Sequence, residues 1–266
     1  LNNTMEQARA PLSSSIPAAW RYALYLLPPE PWYGLGTRWL GRCARTNTAI
    51  SADQREAFAC EAGIDLATLD RWTEAPRQYG LHATFKPPFR LATDCTVDEL
   101  DAALRRFAQQ QQAFAIEPAL QTLRGFLAWR LRHGDPARDT LHQFADACVG
   151  EFDAFRAPPP PTELARRRRT GLSDAQERHL QRWGYPYVFD TFTFHVTLTG
   201  RLDHAEQLAC YRALEATRMV LPAAMPIDHI ALFSQAAPEA PFTVARVYRF
   251  DGSTEDFDAA QSALSA

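Results

Sequence analysis

Apolar positions along this chain fall into short runs of two kinds: continuous or alternating runs that suit strands, and runs spaced three and four apart that suit helices. Arg21 to Leu27 is a continuous run closed by Pro28 and Pro29, which cannot donate to a sheet ladder, and it predicts a strand. Trp32, Leu35, Trp39 and Leu40 stand at helical spacing within Pro31 to Ala44, and Ala52 to Arg71 reads as one or two further helices. Leu81 to Leu91 alternates as a strand until Pro87 and Pro88 interrupt it. Thr96 to Gln112 predicts an amphipathic helix with Thr96 as N-cap, Asp98 and Glu99 in the first turn, and Leu100, Leu104 and Phe107 on one face. Phe114 to Leu123 and Phe126 to Leu131, broken near Gly125, predict a pair of antiparallel strands.

Asp139 to Phe155 is helical in pattern and runs into four prolines, Pro158 to Pro161, followed by a polar helical stretch from Thr162 to Trp183 that contains Arg166 to Arg169. Beyond this hinge the pattern restarts. Tyr185 to Leu202 reads as a strand or strand pair, Ala205 to Val220 as a helix, and Ile227 to Phe233 and Phe242 to Phe250 as strands. The order strand, helix, strand, strand thus occurs twice, which predicts an α+β fold of two similar lobes, each an antiparallel sheet covered by helices. The divisions expected are a flexible leader over 1–17, a first lobe over 18–156, a connecting segment over 157–184 and a second lobe over 185–266, the lobes intertwined as a single domain.

Composition narrows the function classes. With 28 Lys+Arg against 31 Asp+Glu, the net charge of −3 argues against a broad attraction to nucleic acid or anionic lipid. Five scattered cysteines and no signal-like or membrane-spanning apolar run point to a cytoplasmic protein with reduced thiols. Arginine supplies the basic residues almost alone, because Lys86 is the single lysine.

Seven histidines occur, and only His82 and His195 have a hydroxyl two residues later, at Thr84 and Thr197. Side chains at i and i+2 of a strand share a face, so each tripeptide projects an imidazole and a hydroxyl together. Paired across a cleft, the two motifs would make a four-point site for one phosphate. Histidine titrates near neutrality and can give or take a proton, which is what opening a cyclic phosphodiester requires of two groups in opposite protonation states. Threonine hydroxyls can hydrogen-bond the non-bridging oxygens as charge concentrates there. No metal and no cofactor is required by this scheme. Lys86 extends the first row if the strand stays regular, and Thr199 and Arg201 extend the second, so that each row ends in a cation. Tyr79, Tyr185 and Tyr187 precede the motifs and are candidates to stack on a sugar or base. His229 and Arg130 are further candidates to meet an anion, and the Arg166 to Arg169 run reads as a solvated face.

Several longer strings carry a family resemblance: Arg21-Tyr22-Ala23-Leu24-Tyr25, Trp39-Leu40-Gly41-Arg42, Tyr79-Gly80-Leu81-His82-Ala83-Thr84-Phe85-Lys86, Phe152-Asp153-Ala154-Phe155-Arg156-Ala157-Pro158, Arg182-Trp183-Gly184-Tyr185-Pro186-Tyr187-Val188 and Phe194-His195-Val196-Thr197-Leu198-Thr199-Gly200-Arg201-Leu202. Together they resemble the 2H phosphoesterase superfamily, and within it a branch of phosphonate-metabolism proteins whose genes accompany carbon–phosphorus lyase operons. The sequence departs from that pattern in having both Pro87 and Pro88 after Lys86. The resemblance implies a bilobal fold and metal-independent opening of a cyclic phosphodiester, with His82 and His195 as acid and base and Thr84 and Thr197 as phosphate ligands. It implies a small-molecule substrate similar to a ribose 1,2-cyclic phosphate carrying a 5-phosphate. Nucleic acid beyond short RNA ends, a membrane and an obligate protein partner are not expected. An RNA-end 2′,3′-cyclic phosphodiesterase or ligase, and a non-catalytic nucleotide- or RNA-binding module, are the alternative readings.

Overall fold

The computed structural model describes residues 16–169, 171–217 and 221–257, so most of the expected leader lies outside the described residues. In chain order the elements are β1 (Arg21–Leu26), α1 (Trp32–Leu40), β2 (Arg42–Cys43), β3 (Thr48–Ala49), α2 (Ala52–Glu61), α3 (Leu66–Arg77), β4 (Ala83–Phe89), α4 (Val97–Gln109), β5 (Phe114–Ile116), β6 (Pro118–Leu123), β7 (Phe126–Leu131), α5 (Arg138–Glu151), α6 (Pro161–Arg168), α7 (Asp174–Trp183), β8 (His195–Thr197), α8 (His204–Ala216), β9 (Met225–Ile227), β10 (His229–Gln235), β11 (Phe242–Arg249) and β12 (Thr254–Asp256). The α+β class expected from the sequence holds. Among the described residues no helix is long and apolar enough to cross a membrane.

Eight strands form one antiparallel sheet in the order β12-β11-β10-β1-β4-β8-β7-β6. The halves on either side of the hinge therefore share a sheet, where the repeated pattern predicted one sheet for each. β1, from the first half, lies between β4 and β10, and β8, from the second, lies between β4 and β7. β1 and β10 are buried along nearly their whole length, where the backbone N–H and C=O groups of both edges need partners. β4, which His82 immediately precedes, and β8, which begins at His195, are neighbours in the sheet.

Two differences in the elements bear on the site. Pro87 and Pro88 do not end β4, which runs through them to Phe89 with two register shifts against β1. Tyr25 pairs with Thr84 and Leu24 with Lys86, so Phe85 is an extra residue, and Tyr22 pairs with Phe89, which leaves a second extra residue at the prolines. A bulge is where a residue without an N–H fits a sheet. The segment from Tyr185 to Thr193 is not a strand. Pro186 has no N–H to give, Phe189 has a φ of +54°, and Thr191 donates to the carbonyls of Pro186 and Val188 at 2.7 and 2.8 Å, folding a 3-10 turn over Phe189–Thr191. Only His195–Thr197 keeps strand pairing there. The predicted helix through Val220 is seen to Ala216, and 218–220 lie outside the described residues.

The sheet face bearing Ala83, Val196 and Trp129 is packed by helices, with Trp32 of α1 edge-on to Trp129 at 4.9 Å and Phe144 of α5 edge-on to Phe85 at 4.8 Å. The tryptophans of α1 and α3 also fix the exit from β8, because Trp39 Nε1 donates to the Leu198 carbonyl at 2.9 Å and the Gly200 N–H donates to the Trp72 carbonyl at 2.7 Å. α4 starts at the N-cap expected at Thr96, which Glu99 closes reciprocally into a capping box, a device worth about 1 kcal/mol.

Candidate active site

Ala83 of β4 pairs with Val196 of β8, and both are buried against the helices. The residues flanking each, His82, Thr84, His195 and Thr197, therefore emerge on the opposite face, where all four are half-buried. The antiparallel register sets His82 across from Thr197 and Thr84 across from His195, with the two imidazoles on a diagonal. Direct neighbours in such a ladder lie about 5 Å apart and diagonal ones about 7–8 Å.

Both imidazoles are held alike. His82 Nδ1 bonds the Gly80 carbonyl at 2.9 Å, and His195 Nδ1 bonds the Thr193 carbonyl at 2.8 Å, in each case two residues upstream. A carbonyl only accepts, so Nδ1 carries the hydrogen and each Nε2 keeps its lone pair for the cleft. Gly80 has a φ of +72°, and a Cβ there would come within 2.6 Å of Ala44, so the carbonyl that orients His82 sits on a residue that must be glycine.

The surroundings of the two histidines differ. His82 lies among rings: Tyr25 is stacked on it at 4.0 Å, and Tyr79 and Phe233 stand 6.0 and 6.1 Å away. Burial pushes its pKa down to about 4, the Gly80 carbonyl opposes that shift and the neighbouring His195 adds to it. His195 is also lowered, by burial first, against the Thr193 carbonyl and with help from Arg124 and Arg130. Both imidazoles are thus neutral near pH 7, and a bound phosphodiester anion would raise both.

A cavity of about 210 Å³ opens beside this square, lined by Thr84 and His195 themselves and by Pro87, Arg124, Phe126, Tyr185, Tyr187 and Phe192 among others. Tyr185 and Tyr187 form its roof on the segment expected to be a strand. Tyr79, 37% exposed, stacks on Phe242 at 5.4 Å and stands 6.0 Å from His82, outside the cavity lining.

Of the sequence candidates, Thr84, His195, Tyr185 and Tyr187 line this cavity and His82, Thr197 and Tyr79 do not, while Lys86, Thr199 and Arg201 also lie off the square. Lys86 is 1% exposed and points to the helical face, its Nζ donating to the Val149 carbonyl at 2.9 Å and lying 3.5 Å from Asp153. The bulge at Phe85 is the reason, since one extra residue inverts the alternation and turns Pro87, not Lys86, toward the cavity. Asp153 in turn takes both Arg156 Nε at 2.7 Å and Nη2 at 3.2 Å, and Arg156 donates to the Arg182 carbonyl near the end of α7. Lys86 is therefore the root of a strut that reaches the chain just before Tyr185. Thr199 is buried because it continues the ladder beyond β8, accepting from Leu127 N–H at 2.9 Å and donating to the Gly200 carbonyl at 2.8 Å. Arg201 is exposed and does not line the cavity, since the chain turns away after Gly200.

His229 is tied to Asp228 at 2.6 Å and to the Leu27 carbonyl at 2.9 Å, a structural lock between β10 and the end of β1. In the arginine run, Arg168 pairs with Glu177 and Arg167 with Glu163, while Arg167 also lies 4.7 Å over the Tyr185 ring. Sequence reasoning missed Tyr25 and Arg124. Tyr25 meets His82 only through the β1–β4 register. Arg124 was signalled by its place in the two-residue break between apolar runs, of which only Gly125 drew notice. Among the described residues no three His, Cys, Asp or Glu side chains gather as a metal site.

Two histidines of one tautomer facing two threonines across a central strand pair define an α+β protein with a paired His-x-Thr site. A family model described as "Protein of unknown function (DUF1045)" matches residues 84–243, and the chain belongs to that family. It is 35% identical over 243 residues to a protein of Janthinobacterium sp. (strain Marseille) named ribose 1,5-bisphosphate phosphokinase PhnN, covering 88% of this chain and 52% of that one. It is 34% identical over 229 residues to a protein of the same name from Laribacter hongkongensis (strain HLHK9), covering 85% and 51%. The chain spans about half the length of the curated relatives it matches.

Proposed function

We propose that this chain is a metal-independent cyclic phosphodiesterase of phosphonate breakdown that opens a small cyclic phosphate ester, a ribose 1,2-cyclic phosphate carrying a 5-phosphate. The observation that carries the reading is the matched pair of imidazoles, each with Nδ1 bonded to a carbonyl two residues upstream and a threonine at the facing register position. In the reaction one Nε2 takes a proton from water as its oxygen bonds phosphorus. The O2–P bond breaks, and the other imidazole, protonated once the anionic ester is bound, gives its proton to O2. Thr84 and Thr197 donate to the non-bridging oxygens. One water is consumed, and the product is ribose 1,5-bisphosphate.

That product is the compound in the relatives' name. The chain itself has no Gly-x-x-x-x-Gly-Lys-Ser/Thr loop of the kind that cradles a nucleotide's phosphates, and its single lysine is buried under α5. The part of the relatives that this chain does not span is where such a kinase loop would be sought, with the two halves acting on successive compounds. The cavity of about 210 Å³ is smaller than the roughly 300–1,000 Å³ typical of drug-sized ligands, which suits a sugar phosphate.

Phosphorus NMR of the protein in EDTA with this ester, and separately with 2′,3′-cyclic AMP, tests the reading. Selective opening of the ribose ester, lost in His82→Ala and His195→Ala, supports it. Preference for the nucleotide moves the reading to RNA-end processing, and turnover of neither ester overturns it.

A further inference from the structure

The square of two histidines and two threonines is close to symmetric, but the charge around it is not. Among the described residues the rings of Tyr25, Tyr79 and Phe233 surround His82, and no arginine or lysine contributes to the lowering of its pKa. Against His195 there are two, and both come from the β6–β7 hairpin. Arg130 is the direct cross-strand partner of His195. Its Nη1 reaches the Gln121 amide oxygen at 3.3 Å and the Thr122 carbonyl at 3.4 Å, while its buried Nε has no hydrogen-bond partner. A buried N–H without an acceptor costs on the order of 1–3 kcal/mol, a cost that calls for an explanation.

Arg124 is the second. With Gly125 it makes the two-residue turn of the hairpin, both with positive φ, +50° and +89°. Such turns favour asparagine or glycine at the first position, so an arginine there is not explained by turn chemistry. It lines the cavity, its guanidinium 4.1 Å above the Tyr187 ring. Neither arginine forms an ion pair with a carboxylate among the described residues, in contrast to Arg156, Arg167 and Arg168. A cyclic phosphodiester carries one negative charge, and two unpaired guanidinium groups on one side of it exceed what that charge calls for.

We propose that Arg124 and Arg130 form a second anion subsite on the His195 side of the cleft, which holds a terminal phosphomonoester of the substrate while the cyclic phosphate lies between the histidines. This rests on the cyclic-phosphodiesterase reading and adds to it the residues that select a bis-phosphorylated substrate. The rings around His82 then face the apolar edge of the sugar, and the polarity of the site fixes which way round the substrate lies.

The test compares ribose 1,2-cyclic phosphate with and without a 5-phosphate on the wild type, Arg124→Asn and Arg130→Gln. Asparagine tolerates the left-handed turn, so Arg124→Asn removes the charge and keeps the hairpin. Each variant is expected to lose roughly 10- to 100-fold more in kcat/KM on the phosphorylated ester than on the other, the scale of a lost charge-assisted hydrogen bond; whatever the changed charge does to His195 is common to both esters. Equal losses on both esters, or none, overturn the subsite. Ribose 5-phosphate titrated by calorimetry reads the same subsite without turnover. Binding that weakens about tenfold in both variants supports the subsite even if neither ester is opened, an outcome that overturns only the reaction; binding unchanged in both overturns the subsite.

Discussion

Lys86 offers a test of how the interior is wired. Its ammonium is buried between β4 and the end of α5, and burial pushes its pKa down to about 8 from the 10.5 of a free lysine; Asp153 opposes that shift and Arg156 reinforces it. The unfolded chain therefore holds a proton on this amine between pH 8 and 10.5 that the folded protein has released, and stability rises with pH across that window. From pH 7 to 9.5 the gain from this one group is ~2 kcal/mol, at 1.36 kcal/mol for each unit of pKa difference. The buried tyrosines, whose phenols burial raises, act in the opposite direction at higher pH, but they are common to both proteins compared. Lys86→Met keeps the length and removes the charge, and Asp153 retains both bonds from Arg156. Urea unfolding followed by tryptophan fluorescence at pH 7, 8.5 and 9.5 should show the wild type gaining ~2 kcal/mol relative to the variant. A difference that stays flat across the series, or moves toward the variant, would refute a buried charged amine at this position.

Other outcomes follow from the same geometry. His82→Ala and His195→Ala should each lower kcat by about 100- to 10,000-fold on the cyclic ester, with the fold retained by circular dichroism; turnover kept in both variants would remove them from the chemistry. Because the folded-state pKa of His82 is lowered to about 4, the unfolded chain takes up its proton first on acidification, so stability present above pH 6.5 is lost toward pH 4 by up to ~3 kcal/mol. His82→Ala should flatten that slope in acid titrations of unfolding. Gly80→Ala should cost ~1–3 kcal/mol and reduce kcat, because it strains a φ of +72° and meets Ala44; unchanged melting temperature and rate would contradict the close approach. Trp39→Phe, which deletes the bond to the Leu198 carbonyl, should lower stability by ~1 kcal/mol in the same denaturation assay.

The helices and the two motif strands were legible because they depend on local signals. Thr96 and Glu99 announce α4, and Pro28 ends β1 in the sequence as in the structure. The parity of His82 with Thr84 and of His195 with Thr197 survives because each pair lies within a regular stretch. Parity failed one residue further on, at Lys86, because a bulge is set by pairing with β1, sixty residues earlier, and leaves no mark in the local pattern except the prolines. Thr199 and the Tyr185 to Thr193 segment were misread for a related reason. The Thr199 hydroxyl is spent on the Leu127 N–H and the segment's side chains on lining the cavity, and alternation alone cannot distinguish either from a strand. Arg124 depends on which strand lies beside β8, a long-range fact.

The interleaving of β1 between β4 and β10 also sets the order of events during synthesis. β4 follows β1 within about sixty residues, but Leu26 of β1 waits about two hundred residues for β10, which at ~5–20 residues per second is on the order of 10–40 s on the ribosome. Throughout that interval one edge of an apolar strand destined for the centre of the sheet has no partner, and an unpaired apolar edge invites pairing with another chain. Slow translation or high expression should therefore favour aggregation through β1, and a segment carrying β10 and β11 added in trans is the natural competitor for that edge.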